Sequence, residues 1–152
     1  MTGLNHDFLV IDSESFSIDN YEEYKQSDYV EIHDDLLSYF ADTLAWLSSY
    51  NPCMEEEATG LCWYGPTIIK CESASKLKSI LSGWLQILYE APDIVSLKGS
   101  WSWIEGESQD SGSYEKLTFS KNELVVKLKK LISFCELVRS SGGNKCLLHI
   151  GI

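Results

Sequence analysis

The chain has little of what most chemistry is built from. Only three histidines occur in its 152 residues, His6, His33 and His149, and none has a second histidine at ligand spacing. His33 with Asp34 and Asp35 resembles half of a metal-binding pair, but such sites need further His and Asp ligands on other helices. No metal and no cofactor is therefore expected. A P-loop, a GxSxG elbow, an HExxH helix and an EF-hand loop are all missing, and with them the common routes to phosphoryl transfer, acyl transfer and metal-assisted hydrolysis. No run approaches the ~18 apolar residues of a membrane span, and the N-terminus lacks the basic start and apolar stretch of a secretory signal. A cytosolic protein is the expectation. The five cysteines include no CxxC pair, and four of them sit among apolar neighbours, so reduced thiols are expected.

The other scarcity is of positive charge, and it is local. Residues 1–60 hold fourteen carboxylates against one cation, Lys25, and so carry −13. The remaining 92 residues, with eleven Lys and Arg against nine Asp and Glu, carry +2, for the chain's total of −11. Such a field repels nucleic acid and anionic membrane and speeds the approach of a basic protein. Solubility alone is the plainer reading of an acidic segment. Apolar residues at 44% and aromatics at 12%, with five Trp and eight Tyr, exclude a disordered chain. The length suits one domain with its own core.

Periodicity supplies the elements. Asp7 to Asp12 (DFLVID) reads as a buried strand, and Ser13 to Ser27 as an irregular stretch with a helical turn. From Asp28, the residues Ile32, Leu36, Phe40, Leu44 and Leu47 recur at three or four and predict a helix to Tyr50, with Asp28 as its cap. Its outer face would carry Glu31, Asp34, Asp35 and Asp42 as an acidic ridge. Leu61 to Lys70 (LCWYGPTIIK) reads as a strand interrupted at Gly65 and Pro66. Ser73 is placed to cap a helix with Leu77, Ile80, Leu81, Trp84, Leu85 and Leu88 on one side, stopped by Pro92. Ile94 to Ile104 and Tyr114 to Phe119 read as a hairpin. Ser120 with Glu123 forms a capping box for a helix with Leu124, Leu128, Leu131, Cys135 and Val138 inward. Lys145 to Ile150 (KCLLHI) reads as a last buried strand. The expected fold is α+β, a single domain over residues 1–152, with a mixed or antiparallel sheet of about five strands packed with three amphipathic helices.

Convergent chemistry is absent from this arrangement. His149 lies between Leu148 and Ile150 and so faces away from both, and away from Cys146. Asp34 and Asp35 diverge by about 100° on a helix and do not converge on a substrate. Lys127, Lys129, Lys130 and Arg139 give the last helix a basic side, but on a −11 protein a solvated helix face accounts for them. Trp101 and Trp103 share one side of a strand, where they belong to the sheet or form a contact patch.

GLCWYGPTIIK (Gly60 to Lys70), GWLQILYEAP (Gly83 to Pro92), VSLKGSW (Val95 to Trp101) and LLHIGI (Leu147 to Ile152) resemble segments of bacterial immunity proteins of the contact-dependent growth inhibition type. The resemblance spans about the last 90 residues and is one of core segments. It implies a cytosolic inhibitor that binds a cognate toxin domain and performs no chemistry. Many such toxins are nucleases, some cleaving tRNA, and a nuclease presents cations to phosphate. The acids would then occupy its phosphate-binding groove, which makes Asp19, Glu22, Glu23, Asp28, Glu31, Asp34, Asp35, Asp42, Glu55, Glu56 and Glu57 candidate contacts. Tyr21, Tyr24, Tyr29 and Tyr39 would serve as apolar anchors. The expected partner is a basic toxin domain, bound one to one by a monomer, with no direct nucleic-acid or membrane contact. Two other readings stand beside this: a small Cys/His enzyme, and a general acidic adaptor that mimics nucleic acid.

Overall fold

The computed structural model describes residues 4–14 and 16–152, including their side chains except those of Glu22, Lys25 and Gln26. Strands β1 (Asn5–Asp12) and β8 (Lys145–Ile150) are buried on both faces, as their near-continuous apolar sequences require. They form the middle of a six-stranded sheet with β2 (Tyr29–His33), β3 (Ser48–Asn51), β4 (Glu56–Thr59) and β5 (Pro66–Ile69). The order is β2-β1-β8-β5-β3-β4, and every pairing is antiparallel. The first and last strands of the chain are thus neighbours.

One face of the sheet holds the main core. Phe8, Val30, Ile32, Ile69 and Leu147 meet the apolar stripes of α3 (Cys71–Tyr89) and α4 (Lys121–Ser140). On α3 the stripe is Leu77, Leu81, Trp84, Leu85 and Leu88; on α4 it is Leu124, Leu128, Leu131, Phe134, Cys135 and Val138. The hydroxyl of Ser120 accepts the Glu123 N–H at 3.5 Å, which starts α4 where its capping box lies. Helix α3 begins at Cys71 without a side-chain cap, so Ser73 sits inside the helix. A charged cross-link ties the two helices: Lys78 Nζ donates to Glu136 Oε2 at 2.9 Å, and Arg139 Nε donates to the same oxygen at 2.8 Å. Hydrogen bonds from Arg139 and then Lys78 hold the Glu136 carboxyl down at about 2.

The other face is covered by less. Leu9, Ile11, Ile68, Cys146, Leu148 and Ile150 pack under Phe16, Tyr21, Tyr24, Tyr29 and Tyr50. Tyr21 and Tyr24 come from a 3₁₀ segment, Ile18–Gln26, kinked at Asn20. Beside the sheet stands a separate two-stranded hairpin, β6 (Ile94–Ser102) with β7 (Ser113–Ser120), as its alternation predicts.

The helix expected over Asp28 to Tyr50 does not form. The chain there makes β2, then the short helices α1 (Asp34–Tyr39) and α2 (Ala41–Leu44), then β3. Val30 and Ile32 are two apart, β-branched and both buried, so the period of 2 prevails over the period of 3.6 that Ile32 and Leu36 also satisfy. Phe40, at φ −106° and ψ 15°, breaks what remains into two pieces. Ile32, Leu36, Leu44 and Leu47 are all buried nevertheless. The stripe is real as a core pattern and wrong as a helix.

Leu131, 1% exposed on α4, fixes the contact between the two long helices and the sheet. Leu131→Ala is expected to cost about 2–5 kcal/mol through the cavity it leaves, measured as a shift of the urea midpoint at unchanged slope.

Candidate interaction surface and a buried histidine chain

The acids of residues 1–60 fall into distinct structural classes, and the ridge expected of Glu31, Asp34, Asp35 and Asp42 loses the single helix that was to carry it. Asp19 and Glu23 stand exposed on the 3₁₀ segment, Asp42 on α2, and Glu55, Glu56 and Glu57 at the β3–β4 turn and edge strand. None of these six has an ion pair among the described residues. Glu55 turns the chain with φ 52°. Asp28 is exposed but engaged: it accepts from Lys130 Nζ at 2.6 Å, while the same ammonium donates to Tyr29 O at 3.0 Å on the outer edge of β2. Asp35 lies 3.6 Å from His33, whose Nδ1 accepts the Asp35 N–H at 3.1 Å and so caps α1 in place of the expected Asp28. Glu31 is half-buried on β2 opposite Asp7. The Glu22 side chain lies outside the described residues.

The tyrosines divide similarly. Tyr21, Tyr24 and Tyr29 are half-buried in the minor core, where Tyr24 Oη accepts the Ser17 N–H at 3.1 Å and Tyr29 Oη donates to Glu31 at 3.5 Å. Tyr39 is exposed and lies edge-on to Phe40. Of the four, Tyr39 alone is presented as a free anchor.

Glu57 pairs with Tyr50, which pairs with Ile68, so all three share the face that the 3₁₀ segment covers. A groove of about 610 Å³ opens on this side at the strand ends, lined among others by Ser13, Tyr50, Glu57, Lys70, Lys145 and Cys146. Lys145 Nζ donates to Asp12 at 3.1 Å, and Lys70 sits over the Tyr50 ring. The two cations are thus already engaged.

Deep on the helix-packed face lies a feature that the sequence conceals. His6 on β1 and His149 on β8 are 143 residues apart and wholly buried, and His6 Nδ1 lies 2.8 Å from His149 Nε2. Beyond His6, its Nε2 lies 2.9 Å from Asp34 Oδ1, which also accepts the Trp63 indole N–H at 2.6 Å. Beyond His149, its Nδ1 lies 3.2 Å from Thr67 Oγ1, which accepts the Cys62 N–H at 2.8 Å. Registry explains the meeting: Phe8 and Thr67 both pair with His149, and His6 is two residues from Phe8 on the same face. Two further bonds pin the chain end to the same corner, Gly151 N–H to Gly65 O and Ile152 N–H to Trp63 O, both 2.9 Å. Position 151 must be glycine for this approach, because a Cβ there would stand 2.2 Å from the Trp63 carbonyl oxygen.

Proton placement follows from the acceptors. Ionised Asp34 only accepts, so His6 donates from Nε2 and its Nδ1 must accept from His149. His149 then donates from Nε2 and accepts the Thr67 hydroxyl proton at Nδ1. Every polar atom of the two rings is satisfied with both neutral, which a buried pair requires. Burial, and after it the charge that His6 would carry, hold His149 well below its ordinary value. The arrangement has the order of a relay, but neither ring is exposed and both nitrogens of each are used. Two buried thiols are equally unsuited to attack: burial pushes Cys135 up to about 12 and Cys146 up to about 11. All five cysteines are unpaired. Among the described residues no group of three or more His, Cys, Asp or Glu side chains is placed to hold a metal, and no helix is long and apolar enough to cross a membrane.

A histidine whose folded value is depressed binds fewer protons folded than unfolded, so stability falls as pH drops below about 6.5. Denaturant unfolding is expected to show a loss of up to about 1.4 kcal/mol per pH unit between pH 6.5 and 5, above the carboxylate range. His149→Gln should lower stability at pH 7.5 and remove most of that slope. The slope surviving intact in the variant would assign it elsewhere.

Compared with family models, curated proteins and solved structures, the chain matches none.

Proposed function

We propose that this protein is an immunity-type inhibitor that binds a basic nuclease toxin domain and excludes its nucleic-acid substrate. One observation carries the reading: Asp19, Glu23, Asp42, Glu55, Glu56 and Glu57 are exposed and without ion pairs among the described residues, on a chain of net charge −11. Unpaired surface carboxylates cost the fold self-repulsion, and a cationic partner relieves it. The resemblance of Gly60 to Lys70, Gly83 to Pro92, Val95 to Trp101 and Leu147 to Ile152 to immunity proteins supports the same class. These segments build β5, the end of α3, β6 and β8. They speak for scaffold, while the acids speak for partner. A cytosolic location belongs to the same proposal.

The competing enzyme reading draws on the Asp34–His6–His149 chain alone. The full burial of both rings and their satisfied nitrogens favour a structural role. Asp34 is mostly buried, with its Oδ1 held by His6 and Trp63, and so is less available to a partner than the exposed acids.

The test is co-purification with the product of the adjacent reading frame and inhibition of its nuclease activity in a one-to-one mixture. Glu55→Gln/Glu56→Gln/Glu57→Gln is expected to slow association about tenfold at low salt and to flatten the dependence of that rate on salt, with dissociation little changed. If no adjacent frame encodes a secreted toxin and no basic domain binds, the reading is overturned. Tight binding to many unrelated basic proteins would point instead to a general adaptor.

A further inference from the structure

The base of the β6–β7 hairpin is core. Val95 and Leu117 are buried, and Leu97 and Phe119 pack beside them. Between the pairs Lys98–Lys116 and Trp101–Tyr114 the register slips, so that Gly99 and Ser100 oppose the single Glu115. This bulge re-aims the strand. From Ser100 to Ser111 every residue is exposed.

What is exposed there is large and ordered. Trp101 is 40% exposed, Trp103 47%, Ile104 68% and Tyr114 53%. The Trp101 indole N–H reaches across the hairpin to Gln109 O at 3.1 Å, and its ring meets Tyr114 edge-on with centroids 5.0 Å apart. Lys98 Nζ lies 4.3 Å from the centre of the Tyr114 ring. The turn closes through a 3₁₀ step, Gln109–Ser111, in which the Ser111 hydroxyl donates to Ser108 O at 2.6 Å. Gly112 permits the packing, because a Cβ there would fall 2.2 Å from Ser102 O and 3.0 Å from Trp101 Nε1. Between Lys98 and Lys116 stand Glu105, Glu107, Asp110 and Glu115, with no cation among them.

We propose that the distal half of this hairpin is a preformed prong that docks into a cleft of a basic partner protein. Trp101, Trp103 and Ile104 would seat on its apolar floor, and Glu105, Glu107 and Asp110 would meet lysines and arginines at its rim. Rigid aromatic anchors carry most binding energy, and order already present in the free protein lowers the entropic cost of using them. The charge selects the occupant. Nucleic acid and anionic membrane repel this tip, and so does a second copy of it. The identity of the natural partner rests on the functional reading above, and the test separates the two.

The probe is a random peptide library displayed on phage and selected against the immobilised full chain. Enriched peptides are expected to interleave Lys or Arg with apolar residues. Their binding should fall at least tenfold for Trp103→Ser/Ile104→Ser, whose side chains make no hydrogen bond or ring contact among the described residues. Trp101→Ala should show the same loss, with an unchanged circular dichroism spectrum marking an intact core. Peptides that are acidic, that bind both variants as well as wild type, or that fail to enrich would overturn the prong. Concentration-dependent dimers abolished by Trp103→Ser/Ile104→Ser would do the same, as would hairpin-dependent binding to zwitterionic vesicles. Should the adjacent-frame toxin bind that double variant at full affinity, the prong falls and the inhibitor reading stands. Should the toxin not bind while hairpin-dependent cationic peptides emerge, the prong stands and the inhibitor reading falls.

Discussion

The hydrogen bond between His6 and His149 joins the two ends of the chain at the centre of the sheet, and the rest of the fold is arranged around keeping it satisfied. Two imidazoles with no exposure are tolerable only if every nitrogen has a partner, and besides each other the rings have Asp34 on α1 and Thr67 on β5, which are held in turn by Trp63 and Cys62 in the loop before β5. A two-residue slip of β8 against β1 would keep apolar residues inward but leave both rings unsatisfied. The polar chain therefore specifies a register that apolar pairing alone would leave ambiguous. It also fixes where α1 can begin, because Asp34 must reach His6 while its own N–H is held by Leu4 O at 2.9 Å.

That dependence explains what the sequence could and could not show. Strands β1 and β8 were legible because a short apolar run between polar residues has few other uses. Helices α3 and α4 were legible because long stripes average out local ambiguity, and Ser120 with Glu123 marked the start of one. The stretch from Asp28 to Tyr50 was not, since Val30, Ile32 and Leu36 satisfy two periods at once and the residues that β2 pairs with lie twenty or more positions earlier. The histidine pair was hidden more thoroughly. That His149 faces away from Leu148, Ile150 and Cys146 follows from alternation, and it holds; that it faces His6 follows only from registry across 143 residues.

The charge partition changes meaning when it is placed in space. Fourteen carboxylates in sixty residues look like one surface, yet several of them are already engaged within the fold. Asp34 closes the buried chain, and Asp28 and Asp12 hold lysines from α4 and β8. The acids left over concentrate on the segment above the minor core and on the outer edge of β4. On an exposed edge strand, Glu56 and Glu57 also discourage pairing with another sheet. On the inhibitor reading proposed above, the charges that discourage sheet pairing would be the same ones that attract a cation-rich partner.

The same economy appears on the hairpin. Two strands alone are marginal in water, so β6–β7 must be anchored, and Val95, Leu97, Leu117 and Phe119 at its base do this. Nothing in that requirement calls for Trp103 or Ile104 beyond the bulge, where side chains of that size raise the risk of aggregation and add nothing to the core. The neighbouring acids offset that risk. Trp103 and Ile104, exposed without benefit to the core, and the acids beside them that offset that exposure are two halves of one surface, and core stability explains neither half.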